Sequence, residues 1–108
     1  HLEIGGCGMR VPVANGSLTD ITFTVQNECT IEEVNQLFYK ASIEKYQRIV
    51  DYTEDPIVSA DIVGNSASCL FDSKLTSVLG NMVKIVAWYD NEIGYSNRLA
   101  DLIQRVAP

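Results

Sequence analysis

The chain has 108 residues, of which 46% are hydrophobic and 20% are charged, a balance typical of one globular domain and not of a disordered segment. Its formal net charge of -6 argues against nucleic acid and anionic membranes as partners, because both select basic surfaces. The longest apolar run, residues 82–89, contains a lysine and is much shorter than the ~20 residues of a membrane helix.

The cysteines and the single histidine indicate which site chemistries the chain can carry. Cys7, Cys29 and Cys69 are odd in number, widely spaced and without a CxxC pair, which fits neither a disulfide framework nor a zinc site. We therefore expect reduced, mainly structural thiols and a cytoplasmic location. The only histidine is His1, and the carboxylates show no ordered ligand spacing, so no metal site is predicted.

Two strands are predicted before the first helix, over residues 10–13 and 18–25. In the second, apolar residues alternate with threonine from Ile21 to Val25, as in a strand with one buried face. Between them Asn15-Gly16 predicts a tight hairpin turn, since both residues tolerate positive φ. The same residues with Ser17 also match a glycosylation acceptor, but the turn is favoured in a chain with cytosolic features.

A helix is predicted over residues 31–42. Thr30 and Glu33 have the spacing of a capping box, and one face carries an apolar stripe at helical period formed by Ile31, Val34, Leu37, Phe38 and Ala41. Packing against a sheet explains this stripe, and binding of a partner is the alternative.

The second half of the chain predicts three further strands and a last helix. Residues 48–52, 68–71 and 82–89 are expected to be strands, and the third is nearly all apolar, as in a sheet interior. Residues 94–106 predict a helix with Tyr95, Leu99, Leu102, Ile103 and Val106 on one side and an Asp101–Arg105 pair on the other.

This order of elements predicts an α/β fold of the α+β type, a mixed and mostly antiparallel sheet with helices on one face. Both helices and the apolar strand offer more apolar surface than the chain covers by itself. We therefore expect an incomplete domain with neighbours outside this chain.

The most informative polar cluster joins the last strand to the last helix. Asp90 and Asn91 lie at the carboxyl end of that strand, where α/β sheets tend to place binding sites, although either residue also suits the simpler role of a helix cap. The glycine-rich residues 5–8 lack the spacing of a dinucleotide fingerprint, and no Ser-His-Asp or Cys-His pairing is evident. The residues alone therefore define no catalytic site.

Residues 88–98, WYDNEIGYSNR, are similar to a signature of the phosphorylating glyceraldehyde-3-phosphate dehydrogenases. Residues 8–13, 52–61 and 68–72 resemble three other stretches of that family, in the same order. The resemblance implies that residues 1–93 are the C-terminal portion of the catalytic domain. It also implies that residues 94–108 are a C-terminal helix that docks on an NAD-binding domain outside this chain.

The family oxidises glyceraldehyde 3-phosphate with NAD and inorganic phosphate to 1,3-bisphosphoglycerate, using a cysteine nucleophile and a histidine base. Both of these precede the stretch that matches residues 8–12, so the resemblance implies no catalytic residue in this chain and no turnover by the chain alone. It implies that Arg10 binds the substrate phosphate, that Asn91 holds the nicotinamide carboxamide, and that Tyr95 lies beside the nicotinamide.

The resemblance also implies a homo-oligomer, a tetramer as in the family. A preference for NAD over NADP cannot be read from these residues, because the residue that recognises the ribose lies in the nucleotide-binding domain. Two alternatives stay open. One is erythrose-4-phosphate dehydrogenase, and the other is a non-catalytic interaction module derived from the same fold.

Overall fold

The computed structural model describes residues 3–107, which form one mixed β-sheet with two helices. The strands are β1 (Ser17–Thr24), β2 (Val50–Thr53), β3 (Cys69–Asp72), β4 (Ser77–Leu79) and β5 (Met82–Tyr89), and the helices are α1 (Ile31–Ile43) and α2 (Ile93–Val106). The sheet order is β1-β5-β3-β2, and β4 pairs with β5 beside this path. Among these strands only β2 and β3 run parallel, which confirms the predicted mixed, mostly antiparallel α+β fold.

Helix α1 begins at the predicted capping box. The Thr30 hydroxyl accepts from the Glu33 N–H at 3.2 Å, and the Glu33 carboxylate accepts from the Thr30 N–H at 2.8 Å. These two bonds satisfy amides that the first helical turn leaves without a partner. The sequence pattern therefore located this helix start correctly.

The core lies between α1 and one face of the sheet. Phe38 of α1 stacks on Phe71 of β3 with ring centroids 4.0 Å apart. Around this pair the buried cluster consists of Val34, Phe71, Val83 and Ile85. On β5, Val86 is also buried but points to the other face, where a 3-10 turn at Ser59–Ile62 contacts the strand. This strand is therefore covered on both faces, as its apolar sequence predicted.

The predicted strand over residues 10–13 is wrong. The Val13 N–H donates to the Val11 carbonyl at 2.9 Å, which closes a three-residue turn around Pro12. Proline has a fixed φ and no N–H to donate to a ladder, so this segment remains irregular.

The hairpin predicted at Asn15-Gly16 is also wrong, because no strand precedes this turn within the described residues. Gly16 does have a positive φ of 94°, but its N–H donates to its neighbour's side chain, the Asn15 Oδ1, at 2.7 Å. The partner of β1 is β5, with Ser17 opposite Tyr89.

One further strand prediction needs correction, and one strand was missed. β2 begins at Val50 and not at residue 48, because Arg48 has a φ of 68°, in the left-handed region that a strand excludes. β4 was not predicted at all. It forms a hairpin with β5 through the two residues Gly80-Asn81, and Gly80 has a φ of 61°.

Helix α2 follows β5 after three residues, but its apolar side stays uncovered. Tyr95 is 70% exposed and Val106 is 71% exposed, and the other members of the stripe are exposed as well. On the polar side Asp101 pairs with Arg98 at 2.8 Å, so the predicted pair with Arg105 is wrong. None of the helices within residues 3–107 has the length and apolarity needed to cross a bilayer.

Candidate functional site

A group of polar side chains lies where the start of β1 meets the end of β5. We call Asn15, Ser17, Asp90 and Asn91 the polar corner. The antiparallel register that places Ser17 opposite Tyr89 brings Asn15 opposite Asn91 when it is continued for two more residues. The pairing of β1 with β5 therefore joins residues that are about 75 positions apart in the chain.

Asp90 is the buried anchor of the polar corner, with only 3% of its surface exposed. One carboxylate oxygen accepts from the Gly64 N–H at 3.0 Å and from Asn15 Nδ2 at 3.2 Å. The other accepts from the N–H groups of Ile93 at 2.8 Å and Glu92 at 2.9 Å. The hydrogen bonds from the Gly64, Ile93 and Glu92 amides lower the pKa of this carboxyl to about 2. Asp90 therefore stays ionised and holds the start of α2.

Neither Asp90 nor Asn91 is the N-cap of α2, which is Glu92, but the Asp90 carboxylate accepts from the first amides of the helix and the Asn91 side chain does not. Asn91 is exposed, and its side-chain oxygen accepts a hydrogen bond from the Ser17 hydroxyl. Its backbone N–H donates to Asn15 Oδ1 at 3.4 Å. Among the described residues Nδ2 of Asn91 has no acceptor, so this end of the amide faces outward as a donor.

Arg10 lies in the irregular segment that precedes the polar corner. It is exposed, and it makes no hydrogen bond or ion pair with another residue in the range 3–107. Arg10 and Asn15 are five positions apart in the chain, which sets an upper limit of about 18 Å between their Cα atoms. The structure does not bring Arg10 into contact with Asn91, and only the short chain between Arg10 and Asn15 limits its distance from the polar corner.

Tyr95 lies in the first turn of α2, on the exposed apolar side. The start of this helix is held against the loop before β3, because a Cβ on Gly94 would lie 2.4 Å from the Ala67 carbonyl oxygen. One turn later the Arg98 guanidinium donates to the Arg48 carbonyl at 2.8 Å. These contacts fix the direction in which α2 leaves the sheet and leave Tyr95 facing solvent.

The cysteines do not form a cluster. Cys7 is exposed, which does not fit the structural role expected of these thiols, and Cys29 and Cys69 are half-buried. Burial raises the pKa of the Cys69 thiol, and the negative charge of Asp51 raises it further. Within residues 3–107, no three His, Cys, Asp or Glu side chains are arranged to hold a metal ion.

Sequence reasoning missed Ser17 and Asn15 as members of this site. Asn15 was interpreted as part of a turn, and Ser17, the first residue of β1, was noted only as part of a glycosylation motif that was not favoured. The only signal that could have identified them is the pairing of β1 with β5, which requires the register of two strands that are distant in the chain.

Comparison with known proteins points to one family. Residues 1–91 match the family model described as glyceraldehyde 3-phosphate dehydrogenase, C-terminal domain. The chain is 56% identical over 94 residues to "Glyceraldehyde-3-phosphate dehydrogenase 1" of Streptomyces avermitilis, an alignment that covers 87% of this chain and 28% of that protein. It is 55% identical over 102 residues to "Glyceraldehyde-3-phosphate dehydrogenase" of Streptomyces coelicolor, covering 93% and 30%. It is 44% identical over 104 residues to the protein of the same name from Mycobacterium avium, covering 96% and 31%. The chain thus spans about 30% of the length of the curated relatives it matches.

Proposed function

The chain belongs to the glyceraldehyde-3-phosphate dehydrogenase family, and on this basis we propose that the intact protein oxidises glyceraldehyde 3-phosphate with NAD and inorganic phosphate to 1,3-bisphosphoglycerate. In this proposal the chain supplies residues that bind and orient, while the cysteine nucleophile and the histidine base lie outside it. The observation that carries the proposal is the polar corner, where Asn91 is exposed with its amide oxygen already bonded and its NH₂ group open.

Arg10 is assigned to the phosphate of the substrate. A guanidinium has five N–H donors in a planar fork, which suits a dianionic phosphate better than a single ammonium does. Its exposure, and the absence of an ion pair with any other described residue, support this role, because a paired guanidinium would first have to release its partner.

Asn91 and Tyr95 are assigned to the nicotinamide end of NAD. Bound NAD supplies the acceptor for the hydride. The Asn91 NH₂ group suits the carbonyl oxygen of a carboxamide, and the exposed ring of Tyr95 offers an apolar surface for a flat heterocycle. The chemistry of these donors therefore fits the cofactor of the family.

We assign residues 1–93 to the catalytic domain and residues 94–108 to a helix that docks on a nucleotide-binding domain. The support comes from the apolar side of α2, where Leu102 is 55% exposed and Ile103 is 64% exposed. An apolar stripe of this kind is normally covered in a folded protein, and in this chain the sheet does not cover it.

The intact protein is proposed to be a cytoplasmic homotetramer. On the face of the sheet that carries the core, α1 leaves Ile21 46% exposed and Phe23 38% exposed on β1. Apolar side chains on an open sheet face support packing against a second copy of the sheet. Three cysteines without a disulfide support the reducing cytoplasm.

Steady-state kinetics of the purified full-length protein test the reaction. We expect NADH formation that requires glyceraldehyde 3-phosphate, NAD and inorganic phosphate together. A parallel assay with erythrose 4-phosphate as the aldehyde tests the alternative, an erythrose-4-phosphate dehydrogenase. Replacement of NAD by NADP tests which cofactor is used. No NADH with either aldehyde would contradict the proposal and favour a non-catalytic module. A higher kcat/KM for erythrose 4-phosphate than for glyceraldehyde 3-phosphate would identify erythrose 4-phosphate as the substrate.

A further inference from the structure

The position of Asn91 depends on residues that nothing has assigned to the site. Asn91 follows β5, and its amide oxygen accepts from the hydroxyl of Ser17, the first residue of β1. An exposed asparagine normally samples several rotamers and both orientations of its amide. In this structure the Ser17 hydroxyl donates to the amide oxygen, which restrains the side chain to one rotamer with the NH₂ group directed away from the sheet.

The backbone on either side of this amide is fixed independently. Asn15 accepts from the Asn91 N–H at 3.4 Å and donates to the Asp90 carboxylate at 3.2 Å. Asp90 is in turn held by the Gly64 amide at 3.0 Å. The backbone of residues 90–91 therefore has little freedom, and the side-chain torsions of Asn91 are what remains to be set.

We propose that Ser17 is a positioning residue for the cofactor: its hydroxyl holds the oxygen of the Asn91 amide so that the NH₂ group is presented to the nicotinamide carboxamide. This inference rests on the proposed role of Asn91 in binding NAD. Ser17 does not touch the cofactor in this scheme, since it acts only through Asn91. Its position at the first pair of the β1–β5 ladder is what makes it rigid enough for the task.

The proposal has a consequence for ligand selectivity. With its oxygen bonded to Ser17, Asn91 can only donate outward, and a carboxamide oxygen accepts such a bond. In the reversed orientation the oxygen would face outward and would accept from the NH₂ group of a carboxamide that is turned over. Without the hydroxyl the Asn91 side chain populates several rotamers, and its hydrogen bond to the carboxamide weakens.

The test compares Ser17→Ala with Ser17→Thr in the full-length protein. Calorimetry measures the dissociation constants of NAD and of ADP-ribose, which lacks the nicotinamide. Loss of the hydroxyl should weaken NAD about three- to ten-fold, the range expected for one hydrogen bond, and leave ADP-ribose unchanged. Threonine retains the hydroxyl and should restore the ratio of the two constants. Thr19→Ala, two residues further along the same face of β1, is the matched control and should change neither constant.

Asn91→Ala distinguishes a failure of this inference from a failure of the proposed function. If Asn91→Ala lowers NAD affinity relative to ADP-ribose and Ser17→Ala does not, the positioning role of Ser17 is overturned and the role of Asn91 stands. If neither variant changes the ratio, the assignment of Asn91 to the cofactor fails as well. Equal weakening of both ligands by Ser17→Ala would show a merely structural role. In the Asn91→Ala background, Ser17→Ala should have no further effect on the ratio.

Discussion

Replacement of Gly16 by alanine should destabilise the protein through two separate effects. The φ of Gly16 is 94°, a conformation that alanine rarely adopts, and a Cβ at this residue would lie 2.4 Å from the Ser59 carbonyl oxygen and 3.0 Å from Ile62 Cγ2. The carbonyl belongs to the backbone of a 3-10 turn, so it cannot move aside as the end of a flexible side chain could. Both the torsion and the contact therefore oppose the substitution.

The torsional strain and the close contact both lower the free energy of unfolding, and only a smaller entropic effect opposes them. The left-handed torsion costs an L-residue about 1–2 kcal/mol, and overpacking costs about 1–3 kcal/mol. Alanine also reduces the entropy of the unfolded chain, which stabilises the protein by only about 0.4–1 kcal/mol. We therefore expect the free energy of unfolding to fall by about 1–4.5 kcal/mol.

Chemical denaturation of the full-length protein measures this loss, and Gly80→Ala is the control. Gly80 also has a positive φ, of 61°, but its nearest neighbour would be the Glu28 carboxylate at 3.9 Å, so only the torsional effect remains. Gly80→Ala should lose about 1 kcal/mol or less. If Gly16→Ala loses no more than Gly80→Ala, the close packing of this glycine against the 3-10 turn is refuted.

Three further substitutions test other parts of the fold. Gly94→Ala should lower the melting temperature although alanine favours a helix by about 1 kcal/mol, because its Cβ would collide with the Ala67 carbonyl at 2.4 Å; a higher melting temperature would contradict that contact. Thr30→Ala removes the capping hydroxyl and should cost about 1 kcal/mol in urea denaturation, whereas Thr30→Ser should cost little. The pKa of Asp90 is lowered from 3.8 to about 2, so its hydrogen bonds stabilise the fold fully above pH 4 and are lost as the pH falls towards 2. The melting temperature of Asp90→Asn should therefore lie below wild type at neutral pH, and the gap should narrow in that acid range; a constant gap would contradict the role of the charge.

The parts of the fold that sequence predicted best are those set by local chemistry. The capping box at Thr30 needs only four consecutive residues, and the start of α1 follows from it. The apolar run of β5 likewise reflects burial along a single strand. The alternation in β1 predicted a strand correctly, but its apolar side chains Ile21 and Phe23 are exposed in this chain, so the buried face expected of β1 was wrong. Such features do not depend on which strand lies next to which.

The failures occur where distant residues decide the conformation. Asn15-Gly16 has the composition of a hairpin turn, but its polar groups bond to Asp90 and to each other, and Pro12 removes the strand that a hairpin needs. Arg48 adopts a positive φ, and its carbonyl accepts a hydrogen bond from the Arg98 guanidinium of α2. No local sequence pattern indicates this contact. For the same reason no local pattern indicated the hydrogen bond between Ser17 and Asn91.

The resemblance to a family supplied the candidate residues that physical reasoning alone did not. Asn91 and Arg10 are ordinary polar residues in composition, and the structure adds that one is oriented by neighbours while the other is exposed and without an ion pair in the described chain. Their separate roles, one for the cofactor and one for the substrate phosphate, are the central claim.

The most direct test of that claim is the selectivity of Arg10→Leu in the full-length protein. A charge-assisted contact to phosphate contributes about 1.5–3 kcal/mol, which corresponds to about ten- to a hundred-fold in kcat/KM. The substitution should reduce kcat/KM for glyceraldehyde 3-phosphate by that factor and leave unphosphorylated glyceraldehyde unaffected. Arg105→Leu, which removes another exposed guanidinium, should change neither value. Equal losses with both aldehydes after Arg10→Leu would contradict the phosphate-binding role.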